Sequence, residues 1–134
     1  MTSLNYVTVT GTFADGSGAP LAGAVTFTPS QTVYSSGVPL VTPDIPLTAA
    51  IFNGQLLTEA GGVLKLLATD NAGLALEGRT GFWFWEVSVS LAGSQADAWQ
   101  FLLPWSTYGA SPYNGTADLY QTANTALNGA LPVP

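Results

Sequence analysis

The chain of 134 residues contains no cysteine and no histidine, and only 7% of its residues are charged. Without cysteine there is no disulfide framework and no thiolate metal site. Without histidine there is no Ser-His-Asp or Cys-His catalytic device, and no imidazole ligand for zinc, copper or iron. An average soluble domain has about 25% charged residues, so the scarcity of charge is the most unusual property of this sequence.

The few charges are mostly negative, since eight Asp and Glu residues against Lys65 and Arg79 give a formal net charge of −6. Nucleic acids and anionic membrane surfaces are bound through clusters of Lys and Arg. Two cations cannot form such a cluster, so we expect neither partner. No apolar run reaches the ~18 residues of a membrane-spanning helix. Met1 is not followed by a basic and then an apolar stretch, so we expect no secretory signal and synthesis in the cytoplasm.

A surface with so little charge must consist largely of Ser, Thr, Asn, Gln, Gly and Ala, with some apolar area exposed. The cores of protein interfaces are depleted of charge in the same way. The composition therefore favours a subunit covered by neighbours, and we expect a homo-oligomer. A secreted domain with a neutral polar coat is the alternative. The hydrophobic fraction of 47% and the length predict one domain, residues 1–134, with one core.

Alternation of apolar and polar residues predicts an all-β fold. The expected strands are 4–13, 24–28, 45–52, 55–59, 63–69, 81–91 and 99–103. We expect the first two to pair as a hairpin with a long tip, and Asn53-Gly54 to form a tight hairpin turn. The core-facing residues should include Ile45, Leu47, Trp83, Trp85 and Trp99, with Lys65 facing outward. About seven short strands predict an antiparallel, immunoglobulin-like β-sandwich, with a small closed barrel as the alternative.

The character of the sequence changes after Pro104. Residues 1–104 are expected to form the sandwich, and residues 105–134 a partner-contacting loop, short helix and tail. Thr116 is a candidate N-cap for that C-terminal helix. Leu119, Ala123 and Leu127 would then form one apolar stripe along it.

Residues that carry catalytic chemistry are scarce. No G-x-S-x-G elbow and no phosphate-binding loop is present. Glu77, Glu86 and Asp97 are candidates for a glycosidase pair, and Asp70-Asn71 with Glu77 is the one candidate calcium cluster. We interpret these residues as turn-forming or solvated. We therefore expect no enzyme activity, no catalytic residue, no metal ion and no cofactor.

Aromatic side chains are the remaining functional candidates. Trp105, Tyr108 and Tyr113 follow the last expected strand, and Phe82 and Phe84 occupy the outer face of the strand that carries Trp83. Interface aromatics anchor partner subunits, and exposed aromatic faces stack on sugar rings. Both interpretations stay open at this point, so these five residues are candidate partner-binding or glycan-binding residues.

Three segments carry a resemblance to a known class of proteins. They are the opening from Val7 to Pro29, the aromatic segment from Phe82 to Leu91 with Trp99 to Pro104, and Thr116 to Leu119. They resemble small virion proteins of tailed phages that infect actinobacteria, described as minor tail proteins or head decorations. The Gly-x-Pro-x-x-Gly opening is also similar to carboxypeptidase regulatory-like domains.

The resemblance implies a β-sandwich building block of the virion, without catalysis, whose partners are other virion proteins. The chain lacks the collagen-like and coiled-coil stretches of long tail fibres, which leaves decoration, baseplate or adaptor roles. A carbohydrate-binding module that recognises host cell-wall glycans is the alternative function.

Overall fold

The computed structural model describes residues 4–13, 17–19, 22–58, 61–71, 74–76, 83–91, 97–111, 113–119 and 122. Eleven strands and one short helix lie within these residues. The strands are β1 (Tyr6–Thr10), β2 (Gly23–Pro29), β3 (Val33–Ser35), β4 (Val38–Val41), β5 (Leu47–Phe52), β6 (Gln55–Thr58), β7 (Leu64–Leu67), β8 (Ala75–Leu76), β9 (Trp85–Leu91), β10 (Asp97–Phe101) and β11 (Thr116–Asp118). The helix α1 spans Trp105–Tyr108. The prediction of an all-β, sandwich-like fold is confirmed, with more strands than the seven expected.

The strands form one five-stranded sheet and two three-stranded sheets, of which one has shorter strands. A five-stranded sheet has the order β10-β9-β2-β5-β6, a three-stranded sheet has the order β11-β1-β7, and a small sheet has the order β4-β3-β8. All neighbouring strands are antiparallel except β1 and β11, which are parallel. The chain beyond β1 also reaches the larger sheet, because Phe13 N donates to Gly54 O at 2.7 Å.

The expected hairpin between the first two strands is wrong. Strand β1 pairs with β7 and β11, while β2 pairs with β5 and β9. The two strands therefore lie in different sheets and cover the same core from opposite sides. Alternation along a strand identifies its buried face, but it does not identify the neighbouring strand.

The core lies between the five-stranded sheet and the β11-β1-β7 sheet. Its largest fully buried side chains are Trp83, Trp85, Tyr108, Phe27, Phe101, Leu66, Leu67, Leu103 and Leu119. The Trp85 indole N–H donates to Leu67 O at 2.9 Å and so links one sheet to the other. Trp83 packs edge-to-face on Trp85 with ring centroids 5.4 Å apart. The inward positions of these two tryptophans are confirmed, whereas Trp99 is half-buried.

The Asn53-Gly54 hairpin is confirmed. Both residues have the positive φ that this turn needs, 52° and 80°, and they join β5 to β6. The outward position of Lys65 is also confirmed. The inward position of Ile45 is wrong, because Ile45 is 71% exposed. Pro46 has no N–H to contribute to a ladder, and β5 begins only after it.

A helix beginning at Thr116 is also wrong. Thr116–Asp118 form β11, whose backbone pairs with Thr8–Thr10 of β1 and whose Ala117 is fully buried. Pairing along the open edge of β1 satisfies this backbone in place of a helix. The one short helix of the described chain is α1, inside the segment expected to be a loop. Ala123 and Leu127 lie outside the described residues.

Candidate functional site

The aromatic segment, residues 105–119, is attached to the sandwich at its start. The backbone N–H groups of Trp105 and Ser106 donate to the two carboxylate oxygens of Asp70, at 2.6 and 3.0 Å. A negative charge at the beginning of a helix is favourable because the first N–H groups have no partner within the helix. Asp70 thus fixes the start of α1 to the turn that follows β7.

Asn71 makes a second set of structural contacts beside Asp70. Its side-chain oxygen accepts from Asn5 N at 2.7 Å, and its amide nitrogen donates to Asn5 O and Ala68 O at 3.0 and 2.9 Å. Asp70 and Asn71, two residues of the candidate calcium cluster, thus form hydrogen bonds that stabilise the fold. Glu77 lies outside the described residues, and no group of three Asp or Glu side chains in the described part of the chain is placed to hold a metal ion.

Tyr108 is buried, with 2% of its surface exposed. Its ring packs edge-to-face on Tyr113 with centroids 5.1 Å apart. Tyr108 therefore lies in a helical turn with a buried side chain, and not in the expected loop. One helical turn, in which Tyr108 N donates to Pro104 O at 3.0 Å, directs this side chain toward the core, next to β1.

Trp105 is half-buried and lies against the backbone of its own segment. A Cβ atom built on Gly109 would lie 2.6 Å from Cδ2 and 2.7 Å from Nε1 of the indole, and one built on Gly115 would lie 3.4 Å from Cη2. The ring thus occupies the space that a side chain at Gly109 would need, whereas a Cβ atom at Gly115 would only be in van der Waals contact with it. The absence of a side chain at Gly109 allows the close approach.

Of the other two aromatic candidates, Phe84 lies just before β9. Phe84 is half-buried, and its backbone N–H donates to Ser30 Oγ at 3.0 Å. It borders a shallow depression whose other lining residues are Thr28, Pro29, Ser30, Pro43, Glu86 and Gln100. Phe82 lies outside the described residues. Of the carboxylate candidates for a glycosidase pair, Glu86 is exposed on the outer face of the sheet, and the Asp97 side chain lies outside the described part of the structure.

Sequence reasoning missed an apolar cleft at the end of the five-stranded sheet where β5 begins. The cleft has a volume of about 220 Å³ and is lined by Pro29, Pro39, Leu40, Val41, Thr42, Ile45, Leu47 and Trp85. Val38, Ile45 and Leu47 are exposed at its border or next to it, by 60%, 71% and 40%. The available signal was the sequence Pro43-Asp-Ile-Pro46, in which two prolines hold one large apolar residue between them.

The comparisons with known proteins do not identify a family. No protein-family model matches the chain, and a search of curated proteins gives no match either. None of the helices in the described residues is long and apolar enough to cross a membrane.

Proposed function

We propose that this chain is a non-catalytic structural protein of a phage virion, a minor tail, baseplate, adaptor or capsid-decoration subunit, that acts through protein–protein contacts. The observation that carries the proposal is the exposure of large apolar side chains on a β-sandwich with few charges. Val38, Ile45, Phe52 and Val63 are 60 to 71% exposed. Such side chains become buried when a subunit joins an assembly.

The aromatic segment supports a structural role. It is bound at one end by the Asp70 carboxylate and buries Tyr108 in the core. Further along the chain, the Trp99 indole N–H donates to Thr122 Oγ1 at 2.9 Å, and Thr122 is itself buried. The Asp70 and Tyr108 contacts fix the segment to the sandwich, which favours a structural role for it.

The carbohydrate-binding alternative has less support from the geometry. A sugar platform needs the faces of aromatic rings to be open to solvent. Tyr108 is buried, and Trp105 lies against Gly109. Tyr113, the third residue that suggested a platform, is half-buried and packs against Tyr108.

Peptide mass spectrometry of gradient-purified phage particles tests the proposed function. We expect peptides of this chain at a fixed ratio to the major capsid protein, since the chain would be made in the host cytoplasm and enter the particle by assembly. Absence from intact particles would overturn the proposal. A parallel titration with host cell-wall glycans tests the alternative: saturable quenching of tryptophan fluorescence that disappears in Trp105→Ala would support it over the structural role.

A further inference from the structure

We infer that the apolar cleft and the loop beside it, residues 42–46, form a two-fold symmetric contact with a second copy of this chain. Residues 42–46 form the Ile45 loop. The inference rests on the proposed structural role, because it names one partner through which that role is exercised. Ile45 of each copy would enter the cleft of the other.

Hydrogen bonds and two prolines restrain the backbone of the Ile45 loop. Ile45 N donates to Thr42 O at 3.1 Å, and Asp44 N donates to Thr42 Oγ1 at 3.4 Å. Thr32 Oγ1 donates in turn to Thr42 Oγ1 at 3.1 Å, which ties the loop to the start of β3. Pro43 and Pro46 fix φ at two of the five positions. A loop whose backbone is restrained in this way loses less conformational entropy on binding than an unrestrained loop.

The cleft beside the loop presents a matching concave surface. It lies between the β3–β4 hairpin and the neighbouring ends of β2 and β5, where Leu40 and Leu47 line its walls and Trp85 adjoins the core. None of its lining residues is charged. A site of this kind binds an aliphatic or aromatic side chain and gives no counter-charge to an ionic partner.

A second copy fits this surface because the protruding side chain and the cleft lie on one patch. A two-fold interface uses the same patch on both subunits, so the patch must be complementary to itself. The patch combines an exposed apolar side chain, Ile45, with an apolar concave surface, the cleft. Asp44 is exposed next to Ile45, so it would stay at the rim, where solvent screens the repulsion between the two copies.

The size of the patch sets the expected strength of the contact. The exposed parts of Val38, Ile45 and Leu47 amount to on the order of 300 Å² of apolar surface, the size of a functional patch on a monomer. A standard interface buries about 800 Å² on each partner, so polar residues around the patch must supply the rest. We therefore expect a weak dimer that dissociates on dilution. Pro39 interrupts the N–H groups of the edge strand β4, which disfavours a continuous sheet across the contact.

Sedimentation velocity of the full chain over a dilution series from about 1 µM to about 500 µM tests the inference. We expect the mass to rise from 13.8 kDa toward twice that value. Ile45→Asp should remain monomeric throughout, because it places a charge in the apolar cleft of the partner. Val38→Asp should also weaken association, because Val38 is 60% exposed next to the cleft. This second variant keeps the test decisive if Ile45→Asp fails to fold.

Val63→Asp is the matched control. Val63 is 63% exposed and borders a different depression, lined in part by Gly11, Gln55 and Leu57, so this variant should associate like the wild type. A wild-type monomer at every concentration would overturn the inference, as would an oligomer larger than a dimer or equal association of wild type, Ile45→Asp and Val38→Asp. A dimer from a chain absent from particles would overturn the proposed function alone, and a monomer from a chain present in particles would overturn the inference alone.

Discussion

The aromatic segment and the Ile45 loop both lie next to proline, yet the first buries a large side chain and the second exposes one. Tyr108 in the aromatic segment is 2% exposed, whereas Ile45 is 71% exposed. The difference follows from backbone partners. The aromatic segment continues into β11, and Thr8 N of β1 donates to Gly115 O at 2.9 Å. The Ile45 loop is held by local hydrogen bonds, in which Ile45 N, Asp44 N and Thr32 Oγ1 donate to Thr42.

This difference assigns the two regions different roles, the stability of the subunit and the binding of a partner. Side chains of the aromatic segment are buried on folding, so they contribute to the free energy of unfolding of each subunit. The Ile45 side chain stays in water after folding, so its burial remains to be gained on association. Substitutions in the two regions should therefore change different measured quantities.

Tyr108→Ala should have the largest effect. Removing a fully buried aromatic ring loses its burial and leaves a cavity, which costs about 3–5 kcal/mol in the free energy of unfolding. Urea denaturation followed by tryptophan fluorescence measures this loss. Tyr113→Ala is the matched control, because its half-buried ring should cost clearly less. Equal losses for the two variants would contradict the distinction between them.

Gly109→Ala should have an intermediate effect. The new methyl group would overlap the Trp105 indole ring, so the ring must move or the helix must shift, at a cost of about 1–3 kcal/mol for overpacking. The double variant Gly109→Ala/Trp105→Ala should lose less than the sum of the two single changes, because the overlap is then relieved. Additive losses in urea denaturation would show that the indole does not press on Gly109.

Much of the fold could be predicted because strand alternation and turn chemistry are local. Val7 and Val9 alternate with polar residues, and Asn53-Gly54 suits only a few turn conformations, so their burial and geometry follow from short stretches of sequence. The partners of β1 could not be predicted. They depend on which distant strands satisfy its two backbone edges, and β7 and β11 lie far from it in the sequence.

The candidate site was harder to predict for the same reason. Trp105 and Tyr108 have similar sequence surroundings, but their exposure depends on Asp70, which is 35 residues away from Trp105. Asp70 itself resembles an ordinary turn residue in the sequence. The exposure of Ile45 depends on where β5 begins, which Pro46 decides locally, so this feature could have been predicted from the proline.

Ile45→Ala should have the smallest effect on the isolated subunit, within about 0.5 kcal/mol in the free energy of unfolding. The side chain is mostly in water before and after folding, so its removal takes away little buried surface. Association should make the wild type more stable as the protein concentration rises, because a partner that binds only the folded state stabilises that state. Thermal unfolding of wild type and Ile45→Ala should therefore coincide in dilute solution and separate in concentrated solution, with the wild type more stable. A gap of the same size at both concentrations would assign Ile45 to the stability of the subunit, and would remove the contrast between the loop and the aromatic segment.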